Sequence, residues 1–99
     1  MASFRLTIRA RADLRSIAEY TRTRWDDAQA VSYLDNLRRA CQRIASNPAI
    51  GRADAALPRY LRLEQGKHVL FFRRDADGIL VVRILHQRML PQLHLDHEE

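Results

Sequence analysis

Several residue types are scarce in this 99-residue sequence, and each scarcity excludes a class of protein. The single cysteine, Cys41, cannot form a disulfide within the chain and has no CxxC partner, which fits a reducing compartment. Three glycines and three prolines, beside 46% apolar residues, exclude collagen-like and disordered chains. The apolar runs 69–72 and 79–82 are far shorter than the roughly 20 residues that span a bilayer. Residues 1–15 lack the apolar stretch of a signal peptide, so we expect a cytoplasmic protein with no membrane association.

Basic residues outnumber acidic ones, and almost all of them are arginine. Lys and Arg total 17 against 12 Asp and Glu, a net charge of +5, and Lys67 is the only lysine. A mass of 11.6 kDa corresponds to one domain. We therefore expect residues 1–99 to form a single domain, with 86–99 as a C-terminal segment or short helix ending in a frayed acidic tail.

Two segments of helical periodicity follow a short alternating opening. The opening places Phe4, Leu6 and Ile8 on one face, which predicts a strand. The first helix is predicted from an apolar stripe made of Leu14, Ile17, Ala18, Thr21 and Trp25. The second helix, capped by Asp26 or Asp27 and ended by Asn47-Pro48, has a longer stripe made of Ala30, Tyr33, Leu34, Leu37, Cys41, Ile44 and Ala45. Helices joined this closely form an antiparallel hairpin, and Trp25 is a candidate to pack between that hairpin and a sheet.

The second half of the chain has the alternation of β-strands. Residues 48–58 show no sustained period and are expected to form a loop. Strands are predicted over 59–64, 67–74 and 79–86, joined by tight turns at Gln65-Gly66 and at 75–78. The order is therefore β-α-α-β-β-β. This order predicts an α+β fold in which an N-terminal helical hairpin packs on one face of an antiparallel sheet.

No catalytic or cofactor motif is recognisable. Cys41 lies on an apolar helix stripe, the serines have no nucleophile-elbow context, and the three glycines form no phosphate-binding loop. His94 and His97, with Asp96, have a spacing that could face one metal ion, but the spacing implies no further ligand, so a polar tail is the favoured interpretation. We therefore predict no metal site and no cofactor.

Arginines concentrate in the strand half of the chain. Their planar guanidinium groups suit phosphates, carboxylates and paired contacts to a partner. If Arg62 and Arg83 share the sheet face turned away from the helices, they form with His86 a basic patch suited to RNA or protein. The alternative is that these arginines merely solvate an open sheet face.

Several segments, taken in order, resemble the ParE branch of the RelE/ParE toxin superfamily. The resemblance runs from Leu6 to about Leu95. It includes ARADLRSIAEYT, then RWDDAQAVSYLDNL with the pattern W-x-x-x-Q-A-x-x-Y-x-x-x-L, then ASNPAIGR, KHVLFFR and VVRILHQRM. Each segment is weak alone, but their shared order and the independently predicted topology together make a strong resemblance.

The resemblance implies the toxin of a type II toxin–antitoxin pair, held in a hetero-oligomer by a ParD-like ribbon-helix-helix antitoxin. It also implies inhibition of DNA gyrase by binding rather than by catalysis, so that DNA is reached only indirectly. The target-binding residues would be Arg83, His86, Arg88, Met89, Leu90 and Leu93. The antitoxin-binding residues would be Trp25, Tyr33, Leu37, Arg62 and Arg73.

Two alternatives remain open at this point. The RelE-like cousins cleave mRNA on the ribosome with a cluster of basic groups, and here Arg62, Arg83, His86 and Arg88 could supply such a cluster. The single lysine lies at a hairpin turn and no tyrosine follows the last strand, which disfavours the nuclease. A third reading is a non-toxic relic that only binds an antitoxin.

Overall fold

The computed structural model describes residues 3–95, which form two helices and a five-stranded sheet. Short 3-10 turns lie at Pro48–Ile50 and Pro91–Leu93. In chain order the helices and strands are β1 (Phe4–Leu6), α1 (Ile8–Arg24), α2 (Asp27–Ser46), β2 (Arg52–Ala53), β3 (Leu61–Gln65), β4 (His68–Asp75) and β5 (Gly78–His86). The predicted order β-α-α-β-β-β is confirmed, with β2 as one additional strand inside the segment predicted to be a loop.

The sheet is mixed, with the strand order β1-β5-β4-β3-β2. Strands β2 to β5 pair antiparallel, but β1 pairs parallel with β5, so the prediction of a purely antiparallel sheet was wrong in this detail. The physical reason is the long connection. The helical hairpin carries the chain from β1 to the opposite edge of the sheet, and successive turns then bring β5 back beside β1 in the same direction.

Helix α1 begins earlier than the alternating pattern indicates. Thr7 is its N-cap, and the Thr7 hydroxyl accepts a hydrogen bond from the amide of Ala10 at 3.0 Å. Ile8 is therefore the first helical residue and 66% exposed, which corrects its placement on the inner face of a strand. Ile17 and Thr21 are buried as the stripe predicts.

Trp25 is the residue of the predicted stripe that does not pack as expected. It is the C-cap of α1 and 40% exposed, with its ring edge-on to Tyr33 at 5.6 Å between centroids. Because the helix ends at Arg24, the extended backbone of Trp25 turns its indole away from the helical stripe. The expectation that it packs between the hairpin and the sheet was wrong.

Helix α2 matches the predicted stripe closely. Asp26 caps it by accepting from the amide of Gln29 at 2.8 Å, and Asn47 ends it. Leu37, Cys41 and Ile44 are buried against the sheet, and burial raises the pKa of the Cys41 thiol to about 11. That thiol is therefore an inert part of the core.

Both faces of the sheet are covered, which the sequence did not indicate. The helical face buries Leu70, Phe72, Val81 and Ile84 against the hairpin. The opposite face carries a second core, made of Tyr60, Val69, Phe71, Val82, Leu85 and Leu95. The expectation of an open, arginine-solvated face was therefore wrong, because the segment before β3 and the C-terminal segment fold over that face.

A β-bulge interrupts the pairing of β5 with β4. Phe72 pairs with Val81, but Phe71 pairs with Arg83, so Val82 is an extra residue in β5. Beyond the bulge, His68 pairs with His86 across the two strands. The tight turn predicted at Gln65-Gly66 is present, with Gly66 at φ 59°.

We expect the Thr7 hydroxyl to contribute measurably to stability. It donates to the carbonyl of Val82 at 2.6 Å while capping α1, so it joins the helix start to the central strand. Thr7→Ala should lower the free energy of unfolding by about 1–2 kcal/mol in urea melts. Thr7→Ser, which keeps the hydroxyl, should lose less than half of that amount. Equal losses in the two variants would contradict this role.

Candidate functional site

The C-terminal segment after β5 is held against the body of the protein at two points. Leu95 is buried in the second core, and the carbonyl of His94 accepts a hydrogen bond from Arg83 at 2.8 Å. Between these anchors and β5, the chain turns at His86, where the amide of Met89 donates to the His86 carbonyl. A short 3-10 turn, Pro91–Leu93, follows. The segment is therefore folded as part of the domain.

This anchored segment exposes large apolar side chains. Met89 is 46% exposed, Leu90 57% and Leu93 68%. We call these three residues the C-terminal apolar patch. Arg88 precedes the patch and is also exposed. The structure thus brings together four of the six residues predicted to bind the target, on a surface that contacts solvent.

Arg83, in contrast, is committed to an internal ion pair. Its Nε and Nη2 donate to the two carboxylate oxygens of Asp13 on α1 at 2.8 and 2.9 Å, and its Nη1 donates to His94. The Asp13 carboxylate also accepts from the amide of Ile84 at 2.9 Å. The hydrogen bonds and charge of Asp13 raise the pKa of Arg83. Arg83 therefore organises the site rather than forming its surface.

Arg62, on β3, is held in a second ion pair. It donates to Asp54 at 3.0 Å, and its guanidinium lies over the ring of Phe71 at 5.6 Å from the centroid. Asp54 is buried and also accepts from the amides of Ala56 and Leu57, so it fixes the loop that covers the second core. Arg62 and Arg83 both flank Phe71 in the sheet, but each is bound by its own aspartate, so they do not form a free basic patch with His86.

An apolar groove of about 460 Å³ lies between the hairpin and β1. We call it the hairpin groove. Its lining residues are Phe4, Leu6, Leu14, Arg15, Ala18, Leu34, Leu37, Arg38 and Cys41. Arg15 and Arg38 are exposed beside it, whereas Leu37 is fully buried at its base. The groove thus combines an apolar floor with positive charge on its walls.

A smaller cleft of about 220 Å³ lies where the end of α1 meets the start of β4 and the end of β5. We call it the histidine cleft. Its lining residues are Tyr20, Thr21, Arg24, Trp25, Tyr33, Lys67, His68 and His86. Tyr33, His68 and His86 form a chain of edge-on rings, with centroids 5.5 and 5.4 Å apart. Burial raises the pKa of Tyr33 and lowers that of His68, which His86 lowers further.

The residues predicted to bind an antitoxin are dispersed. Trp25 and Tyr33 border the histidine cleft, Leu37 lies under the hairpin groove, Arg62 is on the second-core face, and Arg73 is half-buried on β4. Sequence reasoning did not select the hairpin groove as a unit, nor Tyr20, Arg24, Lys67 and His68 as one cluster. The apolar stripes of the two helices were a signal for the groove, but nothing in the spacing indicated the cleft.

Within residues 3–95, no group of three or more His, Cys, Asp or Glu side chains could hold a metal ion. His94 lies in this range, but Asp96 and His97, its suggested companions, lie outside the described residues. Within the same range neither helix has the length and apolar character needed to cross a membrane.

Comparison with known proteins identifies the family. Residues 4–91 match the family model described as "ParE toxin of type II toxin-antitoxin system, parDE". The chain belongs to the ParE toxin family. It is 48% identical over 82 residues to Toxin ParE1 of Mycobacterium tuberculosis, covering 81% of this chain and 84% of that protein. It is 38% identical to Toxin ParE1 of Caulobacter vibrioides, over 96% of this chain and 99% of that protein.

A solved structure shares the ParE-family fold. The structure titled "Chromosomal ParDE TA system from P. aeruginosa" superposes with a TM-score of 0.75, covering 87% of this chain and 96% of that chain at 21% identity. This likeness confirms the architecture of two helices and a mixed sheet. The resemblance to the ParE family inferred from sequence motifs is likewise confirmed.

We predict that the Asp13–Arg83 pair is a strong stabilising contact, because both side chains are largely buried and one would be left uncompensated. Arg83→Ala should lower the free energy of unfolding by about 3–5 kcal/mol, and Asp13→Ala by a similar amount. The double variant should lose much less than the sum. Arg88→Ala, on an exposed arginine of the neighbouring turn, should leave the urea midpoint nearly unchanged. Additive losses would contradict direct coupling.

Proposed function

We propose that this ParE-family chain inhibits DNA gyrase by binding it through the C-terminal apolar patch, and that a ParD-like antitoxin neutralises it. The observation that carries the proposal is the anchored, exposed trio of Met89, Leu90 and Leu93. Exposed apolar side chains grouped on a folded segment are typical of a protein-binding surface. The anchoring by Leu95 and Arg83 keeps them in one arrangement, so little ordering is needed on binding.

The contacts made by the candidate arginines favour inhibition of gyrase by binding, and they disfavour cleavage of RNA. A ribonuclease needs free cations beside the scissile phosphate and a group that can transfer a proton. Arg62 and Arg83, two of the four candidates for that role, donate to Asp54 and Asp13, so their charges are already engaged by carboxylates. The other two, His86 and Arg88, lie near each other, where the amide of Arg88 donates to His86 Nδ1. This arrangement favours the non-enzymatic proposal.

The hairpin groove supports the antitoxin part of the proposal. Its floor is almost wholly apolar, and Arg15 and Arg38 flank it. An acidic, amphipathic segment could place apolar side chains on that floor while its carboxylates meet the two arginines. Trp25, Tyr33, Arg62 and Arg73 stay the antitoxin contacts proposed from sequence, whereas Leu37 is fully buried and supports the groove from beneath. The groove adds a second, continuous surface. The proposed assembly is a cytoplasmic hetero-oligomer that reaches DNA only through its antitoxin or through gyrase, without a cofactor.

The gyrase proposal is tested with purified proteins. The chain should inhibit supercoiling by gyrase and produce gyrase-dependent DNA cleavage. Leu93→Asp should weaken inhibition at least tenfold, because it places a charge in the apolar patch. Val31→Asp is the matched control, since Val31 is an equally exposed apolar residue on α2; it should inhibit like the parent chain.

Two results would overturn the gyrase proposal. One is an absence of inhibition at molar excess, and the other is equal loss in Leu93→Asp and Val31→Asp. Mapping of mRNA ends after induction separates the nuclease alternative, because cuts positioned by codons that disappear in Arg88→Ala would favour RNA cleavage. Arg88 suits that test better than Arg83, whose replacement is expected to damage the fold. Absence of growth arrest on expression would favour the non-toxic relic.

The antitoxin proposal predicts that binding of the antitoxin depends on the positive charge beside the hairpin groove. The probe is the ribbon-helix-helix protein expected from the adjacent reading frame. Reversing Arg15 and Arg38 to Glu should weaken its binding at least tenfold in calorimetry. Reversing Arg11 and Arg22, two exposed arginines of α1 outside the groove, makes the same net change and should weaken binding less than threefold. Equal weakening in both double variants would show that only net charge matters and would contradict a groove site.

A further inference from the structure

The histidine cleft contains a set of hydrogen-bond donors that the proposed contacts with gyrase and antitoxin do not explain. The hydrogen bonds of Tyr33 indicate which ring nitrogen of His68 carries a proton. Its hydroxyl oxygen accepts from the amide of Lys67 at 3.1 Å and is hydrogen-bonded to Nδ1 of His68. We assign the one hydroxyl proton to the bond with His68, which makes Nδ1 the acceptor. Burial lowers the pKa of His68, which favours the neutral ring. His68 therefore carries its proton on Nε2.

A different hydrogen bond assigns the proton of the His86 ring. The backbone amide of Arg88 donates to Nδ1 of His86 at 3.2 Å, so that nitrogen is an acceptor. With Nδ1 as an acceptor, the His86 nitrogen that carries a proton is Nε2 as well. The two imidazoles are cross-strand partners with ring centroids 5.4 Å apart. The cleft thus contains two N–H donors whose tautomers are determined by bonds to neighbouring groups.

The charged side chains of residues 3–95 that line the cleft are both basic. Lys67 and Arg24 add an ammonium and a guanidinium, and neither has an acidic partner within residues 3–95. Among residues 3–95, no aspartate or glutamate lines the cleft. Asp13 lies close enough to influence the pKa of His68, but its carboxylate is already bound by Arg83. Four hydrogen-bond donors with no free carboxylate beside them are typical of a site that binds an anion.

The walls of the cleft are aromatic. Tyr20 and Trp25 are both substantially exposed there, and Arg24 lies over the Tyr20 ring at 4.9 Å. Exposed aromatic faces beside cations are the surfaces on which nucleic-acid bases stack. The cleft volume of about 220 Å³ is several times the roughly 30 Å³ of one liquid water. It has room for a phosphate and part of an attached nucleoside.

We propose that the histidine cleft binds a nucleoside monophosphate, either free or as the phosphorylated end of a single strand. The phosphate lies among His68, His86, Lys67 and Arg24, and the base lies against Trp25 and Tyr20. This site is separate from the hairpin groove and adds a small-ligand function to the proposed protein contacts. Its test does not involve gyrase or antitoxin, so it stands or fails independently of them.

The test uses Trp25 as a reporter, since it is the only tryptophan of the chain and borders the cleft. AMP titrated into the full chain at constant ionic strength should change Trp25 fluorescence saturably. Inorganic phosphate should compete at concentrations at least tenfold higher than AMP, and adenosine should be weaker still. A 5′-phosphorylated dinucleotide identifies the source: tighter binding than AMP supports a strand end, and weaker binding supports the free nucleotide.

Charge variants separate a built site from general attraction to a basic protein. Lys67→Gln and Arg24→Gln should each weaken AMP binding about tenfold. Arg22→Gln, on the same turn of α1 but outside the cleft, should weaken it less than twofold. The proposal is overturned by an unchanged fluorescence at 10 mM AMP, by adenosine binding as tightly as AMP, or by equal weakening in Arg22→Gln.

Discussion

The hydrogen bonds between Asp13 and Arg83 connect three parts of the chain that are far apart in sequence. Asp13 is on the first helix, Arg83 is on β5 beside the bulge, and Arg83 also binds the His94 carbonyl in the C-terminal segment. This pair therefore links the helical hairpin to the sheet and, together with buried Leu95, fixes the position of the apolar patch. Such an arrangement explains how a chain with a small core can present a defined binding surface.

The helices, the turns and the order of elements could be predicted because each depends on local chemistry. The stripe of α2, its Asp26 cap and the Gly66 turn are short-range features that periodicity and capping describe well. The parallel pairing of β1 could not be predicted in the same way, since it depends on how the long helical connection crosses the sheet. The exposure of Trp25 follows from where α1 ends, and helix ends are poorly defined by periodicity.

The candidate sites were less predictable for two reasons. They depend on the extra residue Val82 in β5, and on segments distant in sequence that cover the second core. Without the bulge at Val82, His68 would pair with Leu85 instead of His86, and the two imidazoles would not meet. The second core likewise requires the loop held by Asp54 and the docked Leu95, which have no periodic signal. Met89, Leu90 and Leu93 are exposed, and their binding of a target stays a prediction. Family resemblance did not reveal that Arg83 is an internal support.

The edges of the sheet are very short. β1 has three residues at one edge and β2 has two at the other. An edge strand this short offers few unpaired backbone groups of its own, so β1 and β2 are poor templates for an added strand. Self-association and amyloid-like stacking through these two strands are thereby discouraged even though the central strands are rich in valine, isoleucine and phenylalanine. At β1 and β2, recognition of a partner then depends on side-chain shape and charge more than on the generic pattern of the backbone.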